Sequence, residues 1–135
     1  MVSKLGKKKI LEDLKVARNV LQQEATGIIK LAEILDHNFI EALDIMSSTN
    51  GRVIISGMGK SGHIANKIAA TLASTGTPAQ YVNAAEASHG DMGMVTKHDV
   101  LIAISNSGET FELTNLVAHA KINAIPLISI TGRAN

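Results

Sequence analysis

Residues 52–63 read Arg-Val-Ile-Ile-Ser-Gly-Met-Gly-Lys-Ser-Gly-His. The run Val53, Ile54 and Ile55 favours a buried strand, and a helical pattern follows the glycines. A strand, a glycine-rich turn and a helix in this order bind phosphate groups in several folds. The stretch therefore indicates an α/β protein and leaves three interpretations: a dinucleotide site, a nucleotide P-loop or a site for another phosphate.

The rest of the chain repeats the alternation of apolar strands with helices. The predicted strands are 52–56, 79–83, 99–105 and 126–131, and helices are predicted at 61–74 and 110–123. Strands without polar alternation are buried on both faces, which is typical of parallel sheets covered by helices. We expect a three-layer α-β-α sandwich with a doubly wound parallel sheet of order 2-1-3-4.

Ahead of the first strand, apolar residues recur in steps of three and four from Ile10 to Leu35. This stripe predicts a long amphipathic helix. Asn38 is the predicted N-cap of a second helix that ends near Asn50-Gly51. We interpret residues 1–50 as a helical segment that packs either on the sheet or on a partner subunit of a homo-oligomer, and residues 51–135 as the sheet domain.

Composition excludes several function classes. The net charge is +1, with 13 basic and 12 acidic residues, and the chain has two Phe, one Tyr and no Trp. These numbers do not favour a nucleic-acid partner, which needs basic patches and aromatic stacking platforms. The absence of cysteine excludes disulfides and thiolate chemistry. No apolar run approaches the roughly 18 residues of a membrane span, so we expect no membrane partner and a cytoplasmic location.

Neither nucleotide motif fits residues 57–63 completely. The spacing of the glycines satisfies G-x-G-x-x-G, but a dinucleotide site also wants an acidic residue at the end of the next strand, where Asn83 stands. A P-loop wants a glycine where Ile54 stands. What remains is a helix N-terminus that favours an anion, with the charge of Lys60 and the hydroxyl of Ser61 beside it. The alternative is a tight glycine turn without a ligand.

A second loop has similar chemistry. Residues 105–110 read Ser-Asn-Ser-Gly-Glu-Thr, which places three hydroxyls and a glycine at the start of a predicted helix. Capping of that helix by Ser107 or Thr110 is the structural alternative. In a sheet of order 2-1-3-4 the first and third strands are neighbours, and their loops diverge at the switch point where ligands bind. We therefore expect both loops to face one crevice.

The two loops together resemble the SIS (sugar isomerase) superfamily. Residues 86–91, Glu-Ala-Ser-His-Gly-Asp, and 75–78, Thr-Gly-Thr-Pro, further resemble the arabinose-5-phosphate isomerases. The resemblance covers residues 50–135, with the long N-terminal helix also expected. It implies interconversion of ribulose 5-phosphate and arabinose 5-phosphate, which supplies the precursor of Kdo in lipopolysaccharide. It implies no cofactor.

The resemblance also implies roles for single residues. Those that would hold the phosphosugar are Gly59, Ser61, Ser105, Ser107 and Thr110. Glu109 would be the base that moves a proton between C1 and C2, and Lys60 would stabilise the enediolate charge. His89 would shuttle protons or, with Asp91, bind an inhibitory metal ion. Of the other histidines, His63 lies next to the first loop, and His37, His98 and His119 are interpreted as surface residues.

The chain departs from the family pattern at its end. Family members continue past residue 135 with a second catalytic glutamate and a histidine, and many add a pair of CBS domains. We therefore expect a domain truncated after its fourth strand that is weakly active or inactive. The alternatives are a phosphosugar-binding or regulatory module without catalysis and a degraded or split gene product.

Overall fold

A computed structural model describes residues 4–87 and 90–133, with side chains from residue 9 onward. The N-terminal helices are α1 (Lys4–Ile34) and α2 (His37–Ser48). They are followed by β1 (Val53–Gly57), α3 (Gly59–Ser74), β2 (Ala79–Asn83), the short α4 (Ala84–Ala87), a 3-10 turn (Asp91–Met94), β3 (Val100–Ser105), α5 (Phe111–Ile122) and β4 (Leu127–Thr131). Each of the four predicted strands is present within one residue of its predicted bounds.

The strands form one parallel sheet of order β2-β1-β3-β4, as predicted. Val53 of β1 pairs with Ala79 of β2 on one side and with Val100 of β3 on the other. Leu101 of β3 pairs with Leu127 of β4. All five residues of β1 and all six of β3 are buried, so the central pair of strands is the core of the sheet.

Successive residues of β1 belong to the two different faces of the sheet. Val53 and Ile55 join Ala65 and Ala69 of α3 in one apolar cluster. Ile54 joins the second cluster, to which α5 contributes Leu116 and Ala120. Helices therefore cover both faces, which confirms the expected α/β architecture. Because α3 and α5 lie on opposite faces, the chain diverges from the ends of β1 and β3, and this is the switch point.

The chain divides into two compact units, residues 1–40 and 41–135. In the first unit the apolar side chains of α1 are exposed, including Ile10, Leu14 and Leu21. That this helix packs on the sheet or on a partner subunit stays a prediction. Among the helices that the structure describes, none has the length and apolar character needed to cross a bilayer.

The predicted cap of α2 is wrong by two residues. The helix begins at His37, and the Asp36 carboxylate accepts a hydrogen bond of 3.0 Å from the Asn38 backbone N–H. The Asn38 side chain donates to the other Asp36 oxygen at 2.9 Å. Asp36 is therefore the capping residue, because its side-chain oxygen satisfies an N–H that has no partner within the helix.

A buried carboxylate connects the beginnings of the strands. Asp99, which is 2% exposed, accepts hydrogen bonds from the backbone N–H groups of Arg52 and Thr96, both at 2.7 Å, and from the Thr96 hydroxyl at 2.9 Å. The Arg52 guanidinium lies 3.7 Å from Asp99 and also donates to Gln80 of β2. Burial alone would raise the pKa of Asp99, but these hydrogen bonds and the Arg52 charge together lower it.

Candidate functional site

The first loop brings the start of α3 close to the end of β1. Gly59 adopts a φ of +55°, a conformation that residues with a Cβ rarely take. A Cβ added to Gly62 would lie 2.8 Å from the Gly57 carbonyl oxygen and 3.0 Å from the Tyr81 hydroxyl. The glycines at 59 and 62 are thus required by the backbone geometry itself, which explains the G-x-G-x-x-G spacing without a dinucleotide.

Replacing Gly62 by alanine is expected to lower the free energy of unfolding by about 1–3 kcal/mol, because the new methyl group meets backbone atoms. Gly27 of α1 is the matched control, since a Cβ there has no neighbour within 4 Å. Tyr81 is the only tyrosine and there is no tryptophan, so tyrosine fluorescence during urea unfolding reports on the second unit. If Gly62→Ala unfolded at the same urea concentration as Gly27→Ala, the close approach of Gly62 to the Gly57 carbonyl would be contradicted.

A cavity of about 400 Å³ lies beside the first loop. Its lining residues come from the loop, α3 and β2: Met58, Gly59, Gly62, His63, Asn66, Tyr81 and Asn83. The Tyr81 hydroxyl donates to the Gly57 carbonyl at 3.3 Å. Burial, and to a smaller extent the negative charge of Glu86, raises the pKa of Tyr81. No lysine, arginine, aspartate or glutamate is among these lining residues.

In the second loop the hydroxyls converge instead of capping α5. Thr110 occupies the N-cap position but makes no side-chain capping bond, and its Oγ1 lies 2.7 Å from the Ser105 Oγ. Ser105 also accepts the Gly108 N–H at 3.1 Å, and Ser107 accepts the Glu109 N–H at 3.2 Å. The loop is therefore folded around its own hydroxyls, with the helix start beside them.

The end of β4 packs against this second loop. The Gly132 N–H donates to the Asn106 carbonyl at 3.2 Å, and a Cβ on Gly132 would lie 2.8 Å from the Asn106 Oδ1. The Arg133 N–H donates to the Thr131 hydroxyl at 3.2 Å. These contacts fix the backbone of Arg133 next to the loop. Arg133 was not among the residues predicted from the sequence, although its place two residues after the parallel strand β4 puts it at the edge where ligands bind.

A second cavity, of about 440 Å³, lies between the second loop, α5 and β4. Its polar lining includes Ser105, Glu109, Thr110 and Arg133. Its apolar lining comes from α5 and β4: Leu113, Val117, Leu127 and Ile130. The cavity thus combines hydroxyl groups, one carboxylate and one guanidinium with an apolar surface, which is the composition of a site for a small polar ligand.

The site residues predicted from the sequence do not all line the two cavities. Ser105, Glu109 and Thr110 line the second cavity and Gly59 lines the first, whereas Lys60, Ser61 and Ser107 line neither. The two loops start side by side, since Gly57 pairs with Ile104, but each of these two cavities is lined by one loop alone.

His89, predicted as a proton shuttle or metal ligand, lies outside the described residues. Within the described part of the chain, no group of three or more His, Asp or Glu side chains is placed to hold a metal ion. The roles assigned to the site residues, and the metal site, stay predictions.

His119 is not the surface residue that the sequence predicted. It is half-buried, and its Nε2 lies 3.0 Å from the Val95 carbonyl oxygen. Asn123, the residue directly after α5, bonds both to the His119 carbonyl, at 2.9 Å, and to the His119 ring. His119 therefore connects α5 to the segment between α4 and β3, a contact that the sequence pattern of α5 does not reveal.

A family model described as the SIS domain matches residues 45–135. A Pseudomonas aeruginosa protein named arabinose 5-phosphate isomerase KdsD is 48% identical over 122 residues, which are 90% of this chain and 37% of that protein. A Francisella tularensis protein of the same name is 56% identical over 111 residues, which cover 80% of this chain and 34% of the relative. The chain thus spans about a third of the length of these curated relatives.

Among solved structures, an Escherichia coli CFT073 protein in complex with arabinose 5-phosphate is similar to this chain with a TM-score of 0.85 at 40% identity. The match covers 90% of this chain and 64% of the Escherichia coli chain.

Proposed function

This chain belongs to the SIS-domain family, and from that premise we propose that it binds a sugar phosphate and interconverts arabinose 5-phosphate and ribulose 5-phosphate. The observation that carries the proposal is the second cavity, which is lined by hydroxyls and a carboxylate together. The relatives named arabinose 5-phosphate isomerase support the choice of substrate. In a cell the arabinose 5-phosphate formed would supply the precursor of Kdo for lipopolysaccharide.

The second loop would hold the phosphate group. The Ser105 and Thr110 hydroxyls are 2.7 Å apart, and either can turn its proton toward an incoming oxygen. The start of α5 adds backbone N–H groups and the positive end of the helix dipole. A phosphate bound there would leave the sugar chain to extend along the cavity, past Glu109.

The chemistry would use Glu109 as the base. Glu109 is exposed and lines the cavity, and there it would take the proton from C2 of the aldose and return it to C1. The enediolate formed between these steps carries negative charge, and the family resemblance assigns its stabilisation to Lys60 of the first loop, which lines neither described cavity. His89 would transfer protons between the two sugar oxygens.

The test is to follow ribulose 5-phosphate by NMR in the presence of the chain. Conversion predicts new aldose signals. In D₂O it also predicts deuterium at the exchanged carbon, because an exposed carboxylate loses its proton to solvent. Absence of both aldose and deuterium over hours would contradict the proposal.

A second candidate is a phosphosugar-binding module without catalysis. It is favoured by one observation: among the residues that line the two described cavities, Glu109 is the single carboxylate. Such a module would be stabilised by arabinose 5-phosphate without converting it, by about 2.7 kcal/mol at a ligand concentration of 100 Kd. Stabilisation together with turnover would contradict this candidate.

A further inference from the structure

The second cavity contains a cation that was not predicted from the sequence. Arg133 lines the same cavity as Ser105, Glu109 and Thr110, whereas Lys60 lines neither described cavity. We propose that Arg133 pairs with the phosphate group of the bound sugar and is a substrate-positioning residue. This inference rests on the proposed function, because it assigns the counter-charge of the same ligand.

The fold gives Arg133 a defined place. The backbone just before it is held to the second loop by the 3.2 Å bond from Gly132 to Asn106. Its own N–H is held by Thr131 at 3.2 Å. The loop also comes close to the end of β4 at a second point, since a Cβ on Gly108 would lie 3.3 Å from the Thr131 hydroxyl. Loop and strand end are thus packed together, and the Arg133 side chain starts next to the hydroxyls.

The charges that would meet in the cavity require a positively charged side chain. A phosphate monoester carries a charge of about −1.5 to −2 at pH 7, and the carboxylate of Glu109 lines the same cavity. Hydroxyls donate hydrogen bonds but do not offset this repulsion between like charges. A guanidinium does, and its planar donors match two phosphate oxygens at once. Because Arg133 is exposed, bringing it to the ligand costs little desolvation, and water screens part of the attraction.

The competing interpretation gives this role to Lys60. Lys60 is an exposed side chain of the first turn of α3, on the opposite face of the sheet from α5. The two assignments predict different variants to lose affinity. A role of Arg133 in phosphate binding also predicts that the loss depends on the phosphate group of the ligand and not on the sugar.

The experiment uses the full chain and three ligands: arabinose 5-phosphate, inorganic phosphate and arabinose. Binding of the first two is followed by ³¹P NMR titration, and binding of arabinose by saturation-transfer NMR. Arg133→Gln is expected to lower the affinity for both phosphate-containing ligands by about 10-fold and to leave the affinity for arabinose unchanged. Arg133→Lys should lower the affinity for the phosphate-containing ligands by only about 3-fold, because lysine keeps the charge without the bidentate geometry.

Two comparisons make the result specific. Arg18→Gln removes the same charge from an exposed position of α1 and should change no affinity. Lys60→Gln tests the competing interpretation. An unfolding midpoint of Arg133→Gln equal to that of the unmodified chain, followed by Tyr81 fluorescence, shows that the variant is folded.

The outcomes separate this inference from the proposed function. If Arg133→Gln binds arabinose 5-phosphate as tightly as the unmodified chain, the role of Arg133 is wrong and the function stands. If the unmodified chain binds inorganic phosphate through Arg133 but does not bind arabinose 5-phosphate, the role of Arg133 stands and the function is wrong. If the unmodified chain binds neither phosphate-containing ligand, both are wrong.

Discussion

Replacing Glu109 by glutamine is expected to slow the interconversion of ribulose 5-phosphate and arabinose 5-phosphate by about 10²- to 10⁴-fold. Glutamine keeps the size and the hydrogen-bonding oxygen of the side chain but cannot take a proton. Since Glu109 is exposed and its N–H is held by Ser107, the substitution should leave the fold unchanged. The measurement is the initial rate of aldose formation by NMR, with unfolding of the variant followed in parallel.

Glu112 provides the control for Glu109. It is an exposed glutamate in the first turn of α5, three residues further along the chain, and it does not line the second cavity. Glu112→Gln removes the same charge from the same end of the helix, so it reproduces any effect on the helix dipole. A rate loss of equal size in both variants would show that Glu109 acts through the general charge of the helix start and not as a base.

Replacing Asp99 by alanine is expected to lower the free energy of unfolding by about 3–5 kcal/mol, since it removes a buried carboxylate and leaves its three hydrogen-bond donors without an acceptor. The donors are the backbone N–H groups of Arg52 and Thr96 and the Thr96 hydroxyl. Such a loss is a large part of the total stability of a typical domain. Urea unfolding followed by Tyr81 fluorescence measures it, because Tyr81 lies on β2 in the same unit.

The pH dependence gives a second test of Asp99. Because its pKa is lowered in the folded chain, its contribution is fully present above the pKa of the unfolded chain. It is lost as the pH falls through the folded value, so below about pH 4. The difference in stability between the unmodified chain and Asp99→Ala should therefore be constant near neutral pH and shrink in acid. Asp44→Ala, at an exposed position of α2, should change stability by less than about 0.5 kcal/mol. A difference between the unmodified chain and Asp99→Ala that is unchanged at pH 3 would contradict a role for the ionised carboxylate.

The sequence alone determined the architecture. The apolar residues of β1 and β3 have no polar alternation, so both faces of these strands must be covered, and helices between parallel strands are the connections that do this. The strand order 2-1-3-4 was predicted as the order of the doubly wound fold that this alternation of strands and helices indicates, and the sheet has it. The pattern of apolar and polar residues along a strand or helix is a local property, so the sequence itself is enough to predict the element from it.

Local side-chain competition was harder to predict. Asn38 and Asp36 are both good capping residues, and the structure gives the cap to Asp36. Thr110 stands at the N-cap of α5, yet its hydroxyl faces Ser105. In both cases the residue types were compatible with several hydrogen bonds of similar strength, and the backbone geometry of the surrounding loop selects one of them.

Only the tertiary structure decided which distant residues meet. The Asp99 network joins residues 52, 80, 94, 96 and 99 because the first three strands begin at the same edge of the sheet. Arg133 reaches the cavity of the second loop because β4 pairs with β3 and ends beside Asn106. The sequence identified loops suited to an anion, since hydroxyls and glycines at a helix start are a local pattern. Which positively charged side chain shares a cavity with these loops depends on how the strands pair, and strand pairing is not encoded in any local sequence pattern.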